Sequence, residues 1–201
     1  MQRFQNKVVL VTGAAAGIGE ATARRFADEG ANVVLADWNL EKAQAVASEL
    51  PADKVLAVKV DVSSMASVQQ MIDATIERFG RLDVLVNNAG VHIPGTTLET
   101  TEADWRKIAS VNIDGVIFCS KLALPHLIQS KGNIVSTASV SGLGGDWGAA
   151  FYCASKGAVV NFTRALALDH GAQGVRANAV CPSLTRTAMT WDWEQSIRDK
   201  F

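Results

Sequence analysis

Short runs of aliphatic, mostly β-branched residues alternate along the chain with longer segments that have the period of a helix. The runs are VVLV (8–11), VVLA (33–36), VLAVKV (55–60), VLV (84–86), NIVS (133–136) and VRANAV (175–180). Several are apolar throughout, which is typical of parallel strands that helices cover on both faces. The alternation predicts a single α/β domain over residues 1–201. Its doubly wound parallel sheet should bind any ligand at the carboxyl ends of the strands.

The segment 63–80 illustrates how the helices are predicted. Apolar residues recur there every three or four positions, Ser63 or Ser64 is a candidate N-cap, and Gly80 is a candidate C-cap. Gly30 stands where it would end the first helix in the same way.

The charges of the chain are nearly balanced, with 19 Lys and Arg against 20 Asp and Glu. This balance gives no electrostatic reason to expect a nucleic acid or an anionic membrane as a partner. No apolar run approaches the roughly 20 residues that cross a bilayer. The first predicted strand begins near Lys7, which leaves no room for a signal peptide. We therefore expect a cytoplasmic protein.

Cysteines and histidines show no pattern of a disulfide framework or a metal site. The three cysteines are Cys119, Cys153 and Cys181. They are odd in number and far apart, so we expect free thiols. The three histidines are His92, His126 and His170. They are scattered as well, so we expect structural or surface roles for them and no metal.

The first predicted strand leads directly into the glycine-rich stretch TGAAAGIG (12–19), which a helical segment follows. Glycines let a backbone approach a phosphate closely, and the N-terminus of a helix offers unpaired N–H groups. A diphosphate is therefore expected at this loop. The residues expected to contact it are Gly13, Gly17, Ile18 and Gly19.

Asp37 ends the second predicted strand, 20 residues after Gly17. An acidic side chain at this place can accept hydrogen bonds from an adenosine ribose, and it would repel a 2′-phosphate. Neither the glycine-rich loop nor Trp38 offers an Arg or Lys to attract such a phosphate. The pattern favours NAD over NADP, with the alternative that Asp37 only caps the next helix.

Two further strand ends carry polar or glycine signals. Asp61 and Val62 follow the third predicted strand and are expected to flank an adenine. The stretch NNAG (87–90) follows the fourth, although Asn and Gly are common turn formers and the turn could be purely local. The cofactor-binding residues predicted within it are Asn88, Ala89 and Gly90.

Tyr152 and Lys156 follow a glycine-rich bend in the stretch TASVSGLGGDWGAAFYCASKG (137–157). Residues four apart share one face of a helix, within about 6 Å along its axis. Taken alone, the pair could simply be neighbours on a solvated helix.

Together, and in this order, these motifs resemble the short-chain dehydrogenase/reductase family, whose fold is Rossmann-like. Ser139 lies 13 residues before Tyr152, the usual interval in that family, and the match spans nearly the whole chain. The resemblance implies NAD-dependent oxidation and reduction of an alcohol and a ketone. It also implies a catalytic tetrad of Asn112, Ser139, Tyr152 and Lys156.

Each member of the tetrad then has an expected role. Tyr152 would donate a proton in reduction and accept one in oxidation. A Lys156 ammonium and a positive nicotinamide ring would lower the pKa of this phenol from about 10, and Lys156 would also hold the nicotinamide ribose. Ser139 would hydrogen-bond the substrate oxygen. Asn112 would support a proton relay behind the lysine.

A narrower resemblance, to bacterial 2,3-butanediol dehydrogenases that are also called acetoin or diacetyl reductases, rests on VVLADW, NNAGVHIPG, TASVSGLGGDWGAA and VCPSLTRT. It implies a small vicinal diol, hydroxyketone or diketone as substrate, with a sugar or a hydroxysteroid as the alternative. Beside Ser139 and Tyr152, the pocket would be lined by Val140, Ser141, Asp146, Trp147 and Trp191. Each of these five could equally be a packing or loop residue.

The segment after the sixth predicted strand completes the expected cofactor site. The residues assigned to it are Pro182, Ser183, Thr185 and Thr187. Ser183 replaces a glycine of the family pattern, so we expect altered cofactor affinity with binding retained. The resemblance implies that residues 188–201 begin a substrate lid, that the family continues into a seventh strand, and that the protein with this segment is a homotetramer. Without it, the alternative is an NAD-binding but catalytically impaired form.

Overall fold

Six parallel strands form one sheet in the computed structural model, which describes residues 2–187 and 189–190. The strands are β1 (Val8–Thr12), β2 (Asn32–Asp37), β3 (Val55–Lys59), β4 (Val84–Asn87), β5 (Asn133–Thr137) and β6 (Arg176–Val180). Their order in the sheet is β3-β2-β1-β4-β5-β6. The chain moves outward from β1 to β3 and then restarts on the other side of β1. The carboxyl ends of β1 and β4 therefore flank the point at which open α/β sheets bind ligands.

Helices connect the strands, and each predicted run of aliphatic residues is confirmed as a strand. The helices are α1 (Gly17–Asp28), α2 (Leu40–Ser48), α3 (Met65–Phe79), α4 (Glu102–Ala109), α5 (Gly115–Ser130) and α6 (Ala150–His170). A π-helical segment (Ser110–Asp114) joins α4 to α5, and two 3₁₀ turns occupy Val140–Gly142 and Gly171–Gln173.

The central strand β1 shows why the strands are apolar throughout. Val8 and Leu10 belong to one hydrophobic cluster, which α3 and α5 complete. Val9 and Val11 belong to a second cluster, which contains residues of α1 and α2. Because neighbouring side chains of a strand point to opposite faces, β1 is buried on both sides, and the predicted doubly wound sheet is confirmed.

The ends of α3 agree with the sequence prediction. The Ser64 hydroxyl accepts a hydrogen bond from the Ser67 N–H, and Gly80 ends the helix in the left-handed conformation with φ 74°. Gly30 follows α1 with φ 92°, also as predicted. These two glycines stand where a side chain would be strained.

The helical run from Glu102 to Ser130 is long and apolar enough to cross a membrane by length and composition alone, which the sequence analysis did not predict. Within this run, Cys119, Ala123 and Leu127 are fully buried in the cluster that covers β1 and β4, and 39% of its most apolar window is buried. Packing against the sheet accounts for the hydropathy of these buried residues. Cys119 and the other two cysteines are free thiols, as expected.

Candidate active site at the carboxyl ends of the strands

The glycine-rich loop runs from β1 into α1 and is held tightly against the turn after β4. Gly13 has φ 66°, and a Cβ on it would lie 2.9 Å from Cα of Ala89. A Cβ on Gly19 would overlap the carbonyl oxygen of Gly13. Ala16 precedes α1, and no side chain caps this helix end. The loop therefore presents bare backbone at a helix N-terminus, which suits a phosphate group.

Asp37, at the end of β2, is buried and ties the neighbouring loops together. Its Oδ2 accepts a hydrogen bond from the Ala15 N–H at 3.0 Å, and its Oδ1 accepts one from the Asn39 N–H at 2.9 Å. Asn39 is the residue that caps α2, through the Lys42 N–H. The alternative that Asp37 caps this helix is therefore wrong. Trp38, beside it, is 77% exposed.

Asp61 and Val62 lie beyond the end of β3, as expected. The Asp61 carboxylate accepts hydrogen bonds from the Ser63 hydroxyl at 2.6 Å and from the Ser63 N–H at 3.0 Å. These bonds lower the pKa of Asp61, the hydroxyl having the larger effect. Val62 is buried beneath Gly115, where a Cβ would lie 2.8 Å from its side chain.

Asn88 connects three strand ends. Its Nδ2 donates to the carbonyl oxygens of Thr12 and Gly13, both at 3.1 Å, and its Oδ1 accepts from the Thr137 hydroxyl at 3.4 Å. The Thr12 hydroxyl in turn accepts hydrogen bonds from the N–H groups of Asn88 and Ala89. The NNAG turn is therefore not purely local, since it fixes the glycine-rich loop.

The four tetrad residues come together from β5, α6 and the π-helical segment. Tyr152 and Lys156 share one face of α6, as predicted, with the Lys156 Nζ 5.7 Å from the centre of the phenol ring. Lys156 is buried, and its Nζ donates to the Thr137 carbonyl at 2.7 Å. Ser139 lies just beyond β5, and its side chain acts to lower the pKa of the Tyr152 phenol.

Asn112 lies fully buried in the π-helical segment, a kind of helix irregularity that is frequent at functional sites. Its Oδ1 accepts from the Val91 N–H at 2.8 Å, while its Nδ2 donates to the Val91 carbonyl at 2.9 Å and the Ser155 hydroxyl at 3.1 Å. Gly90 lies between the tetrad members, because a Cβ on it would be 3.4 Å from Asn112 and 3.5 Å from Lys156.

Burial is the largest cause of the pKa shifts of Tyr152 and Lys156. It raises the pKa of Tyr152, the side chain of Ser139 opposes the rise, and the charges of Cys153 and Asp146 add to it. Burial also lowers the pKa of Lys156 to about 8. Lys156 is not among the causes of the Tyr152 shift, the largest of which is burial of the phenol. The expectation that Lys156 and a bound nicotinamide ring together lower this pKa stays a prediction.

The sequence analysis missed His92, for which only a structural or surface role was expected. Its ring packs edge-to-face on the Tyr152 ring, with centroids 4.7 Å apart. Burial lowers the pKa of His92, and the charge of Asp146 opposes this. The sequence feature that could have pointed to His92 is its position, two residues after the NNAG turn at the end of β4.

The predicted substrate residues lie between β5 and α6, apart from Trp191, which is outside the described residues. Ser141 is buried, and its hydroxyl donates to Oδ2 of Asp146 at 3.0 Å. Val140 is 43% and Trp147 89% exposed, so both side chains reach solvent.

The segment after β6 lies over the glycine-rich loop. A Cβ on Gly17 would be 3.3 Å from the methyl group of Thr187, and the Pro182 carbonyl accepts from the Val140 N–H at 3.1 Å. Ser183 and Thr185 are joined by a bond from the Thr185 hydroxyl to the Ser183 carbonyl. Thr187 therefore lies against the glycine-rich loop, and Pro182 against the turn that follows β5.

Comparison with known proteins agrees with this geometry. A family model described as short chain dehydrogenase matches residues 7–198. The chain is 64% identical over 199 residues to the meso-2,3-butanediol dehydrogenase of Serratia marcescens, covering 99% of this chain and 79% of that protein. It is 42% identical over 194 residues to an L-fucose dehydrogenase of Bos taurus, covering 96% and 70%. Among solved structures, a 3-ketoacyl-(acyl-carrier-protein) reductase from Brucella melitensis complexed with NADH superposes with a TM-score of 0.89. Its identity is 35%, with 92% of this chain and 78% of that chain covered.

Proposed function

This chain belongs to the short-chain dehydrogenase family, and we propose that it is an NAD-dependent oxidoreductase that interconverts a small vicinal diol or hydroxyketone with its ketone. The substrates proposed are 2,3-butanediol, acetoin and diacetyl. The observation that most supports an oxidoreductase is the grouping of Tyr152 and Lys156 on one face of α6, with Ser139 near enough to influence the pKa of the Tyr152 phenol. The similarity to the Serratia enzyme supports the choice of substrate.

The residues present fit NAD. The glycine-rich loop has no room for a Cβ at Gly13 or at Gly19. A diphosphate bound there would therefore contact the backbone of these residues. The Asp37 carboxylate, at the end of β2, would accept hydrogen bonds from the hydroxyls of the adenosine ribose and would repel a 2′-phosphate. Asp61 and Val62 would hold the adenine. Asn88, Ala89, Gly90 and the segment from Pro182 to Thr187 would hold the nicotinamide half.

Proton transfer is the task of Tyr152. NAD, when bound, supplies or accepts the hydride. Tyr152 donates its proton to the ketone oxygen during reduction and takes it back from the alcohol during oxidation. Because burial keeps the phenol protonated, the protein's own groups favour the proton-donating form. Ser139 steadies the substrate oxygen as negative charge develops there.

Lys156 and Asn112 hold the proton-transfer groups in place. Lys156 is anchored on the Thr137 carbonyl, with its ammonium 5.7 Å from the centre of the Tyr152 ring, and it would hold the nicotinamide ribose. Asn112 ties the loop that follows β4 to α6 through Val91 and Ser155. In this way Asn112 fixes the position of Gly90 relative to Lys156. This is its part in the proposed proton relay behind Lys156.

The substrate pocket, the cellular compartment and the oligomeric state are also part of the proposal. We propose a substrate pocket between Val140, Ser141, Asp146 and Trp147, covered by a lid that begins at residue 188 and includes Trp191. We also propose that the protein acts in the cytoplasm as a homotetramer. Three free thiols suit a reducing compartment. Light scattering on the purified protein tests the oligomeric state.

The test is a substrate panel with the purified protein. Diacetyl and acetoin are supplied with NADH, 2,3-butanediol, L-fucose and a hydroxysteroid with NAD, and NADPH serves as the cofactor control. We expect kcat/KM for diacetyl or acetoin to exceed that for the sugar and the steroid by about tenfold or more. Preference for L-fucose or the steroid would overturn the substrate class. NADH binding without any turnover would favour the catalytically impaired form.

A further inference from the structure

His92 lies against the catalytic tyrosine, on a short segment after β4 that is fixed on both sides of it. Its ring packs edge-to-face on the Tyr152 ring, with centroids 4.7 Å apart. Before it, the backbone of Val91 exchanges two hydrogen bonds with the side-chain amide of Asn112, at 2.8 and 2.9 Å. After it, the Gly95 N–H donates to a backbone carbonyl just before α6, at 2.7 Å. The backbone therefore holds the imidazole beside the phenol.

The proposed substrates carry a second oxygen on the carbon next to the one that reacts. When the reacting oxygen lies at the Tyr152 hydroxyl, this second oxygen enters the same half-buried space. An oxygen that leaves water and finds no hydrogen-bond partner costs free energy. A site that prefers such substrates to simple ketones therefore needs a polar group for the second oxygen beside Tyr152.

The second oxygen changes its hydrogen-bonding character along the proposed reaction. It is a carbonyl, which only accepts, in diacetyl, and a hydroxyl, which also donates, in 2,3-butanediol. The Asp146 carboxylate only accepts, and it already holds the Ser141 hydroxyl and the Trp147 N–H. The Lys156 ammonium only donates, and it is bonded to the Thr137 carbonyl. A neutral imidazole has one donor and one acceptor nitrogen, so it suits both forms of the oxygen.

The His92 imidazole is neutral at neutral pH. Burial lowers its pKa, and the negative charge of Asp146 opposes this change without reversing it. A protonated ring could only donate, so the neutral form is the one that serves a hydroxyl as well as a carbonyl. The side chains around Tyr152 therefore include one group that suits either form of the second oxygen.

We propose that His92 determines substrate specificity by hydrogen-bonding the second oxygen of a vicinal diol, hydroxyketone or diketone while the reacting oxygen lies at Tyr152. The proposal rests on the proposed function, since it explains the choice of substrate class at the same site. His92 donates to the second oxygen when it is a carbonyl, and donates to it or accepts from it when it is a hydroxyl. A simple ketone makes no such bond, so the site discriminates against it.

A pair of ketones with the same carbon chain isolates the effect of the second oxygen. Acetoin carries this oxygen and 2-butanone lacks it, and NADH is supplied with both. The quantity measured is the ratio of kcat/KM for acetoin to kcat/KM for 2-butanone. The two ketones differ in intrinsic reactivity, but that difference is the same for every variant, so it cancels when the ratio of a variant is divided by that of the wild type.

His92→Phe keeps a ring against Tyr152 and removes both nitrogens, whereas His92→Gln keeps a donor and an acceptor. We expect the ratio to fall about tenfold in His92→Phe, the effect of one lost hydrogen bond, and to stay within about threefold of the wild type in His92→Gln. His92→Leu should show the same loss as His92→Phe and replaces it if that variant does not fold. The matched control is His170→Phe, about 27 Å farther along α6, which should keep the wild-type ratio.

Two outcomes would overturn the assignment of His92 alone. Equal losses of kcat/KM for both ketones in His92→Phe, with the ratio unchanged, would show that His92 only supports the Tyr152 ring. A ratio in His92→Gln as low as that in His92→Phe would show that the shape of the side chain, and not its hydrogen bond, sets the preference. Failure of the wild type to reduce either ketone is a different result, because it would overturn the proposed function and the role of His92 with it.

Discussion

Lys156 should make the protein less stable at neutral pH than it would be without the charge. Its ammonium is buried, and burial lowers its pKa from 10.5 to about 8. An unfolded chain would bind a proton at Lys156 up to about pH 10.5, whereas the folded protein releases it at about pH 8. Between these values the unfolded state holds more protons, so stability rises with pH.

The size of the effect follows from the shift. At about 1.4 kcal/mol for each pKa unit, the charged lysine lowers the free energy of unfolding by about 3 kcal/mol below pH 8. Lys156→Met removes this penalty but also removes the hydrogen bond to the Thr137 carbonyl, which is worth about 2 kcal/mol because the donor is charged. The variant should therefore be more stable at pH 7 by about 1 kcal/mol, although it loses turnover.

Urea unfolding at a series of pH values from 7 to about 10.5 measures this. The stability of the wild type minus that of Lys156→Met should rise by about 3 kcal/mol across the range. Lys121→Met, at an exposed position of α5, is the control and should follow the wild type. The reasoning would be refuted if the difference in stability between the wild type and Lys156→Met did not change with pH. It would also be refuted if Lys156→Met were less stable than the wild type at pH 7.

Two further predictions concern the cofactor cleft. Asp37→Ala combined with Trp38→Arg should shift the preference from NADH towards NADPH, since repulsion of a 2′-phosphate is lost and a guanidinium is gained. An unchanged ratio of the two Kd values would show that Asp37 does not read the ribose. Gly19→Ala should weaken NADH binding about tenfold or more, because its Cβ must displace the Gly13 carbonyl. A Cβ at Gly144 would meet nothing within 4 Å, so Gly144→Ala should bind NADH with the wild-type affinity in the same titration. Equal NADH affinities of Gly19→Ala and Gly144→Ala would contradict the role of the glycine-rich loop in binding the diphosphate.

The sheet and the principal site motifs could be read from sequence because they depend on local patterns. Strand β1 is buried on both faces, so its residues are uniformly apolar, and α3 carries its own capping residues at Ser64 and Gly80. The spacing of Tyr152 and Lys156 was equally readable, since two residues four apart share a helix face by geometry alone.

What sequence could not show depends on contacts between distant segments. Asn88 was expected at the cofactor, but the direct partners of its amide are the ends of β1 and β5. His92 meets Tyr152 only because the strand order brings the end of β4 beside α6. The raised pKa of Tyr152 was also beyond sequence, because burial is a property of the packed structure and the motif suggests only the nearby lysine.

The measurement that tests the central claim most directly is NADH oxidation with diacetyl by the wild type and by Tyr152→Phe, with NADH binding measured in parallel. The substitution removes the hydroxyl but keeps the ring on which His92 packs. The account predicts at least about a 100-fold loss of rate, in the range of a lost general acid, with an unchanged Kd for NADH. Reduction of diacetyl by Tyr152→Phe at close to the wild-type rate would contradict the assignment of Tyr152 as the proton donor.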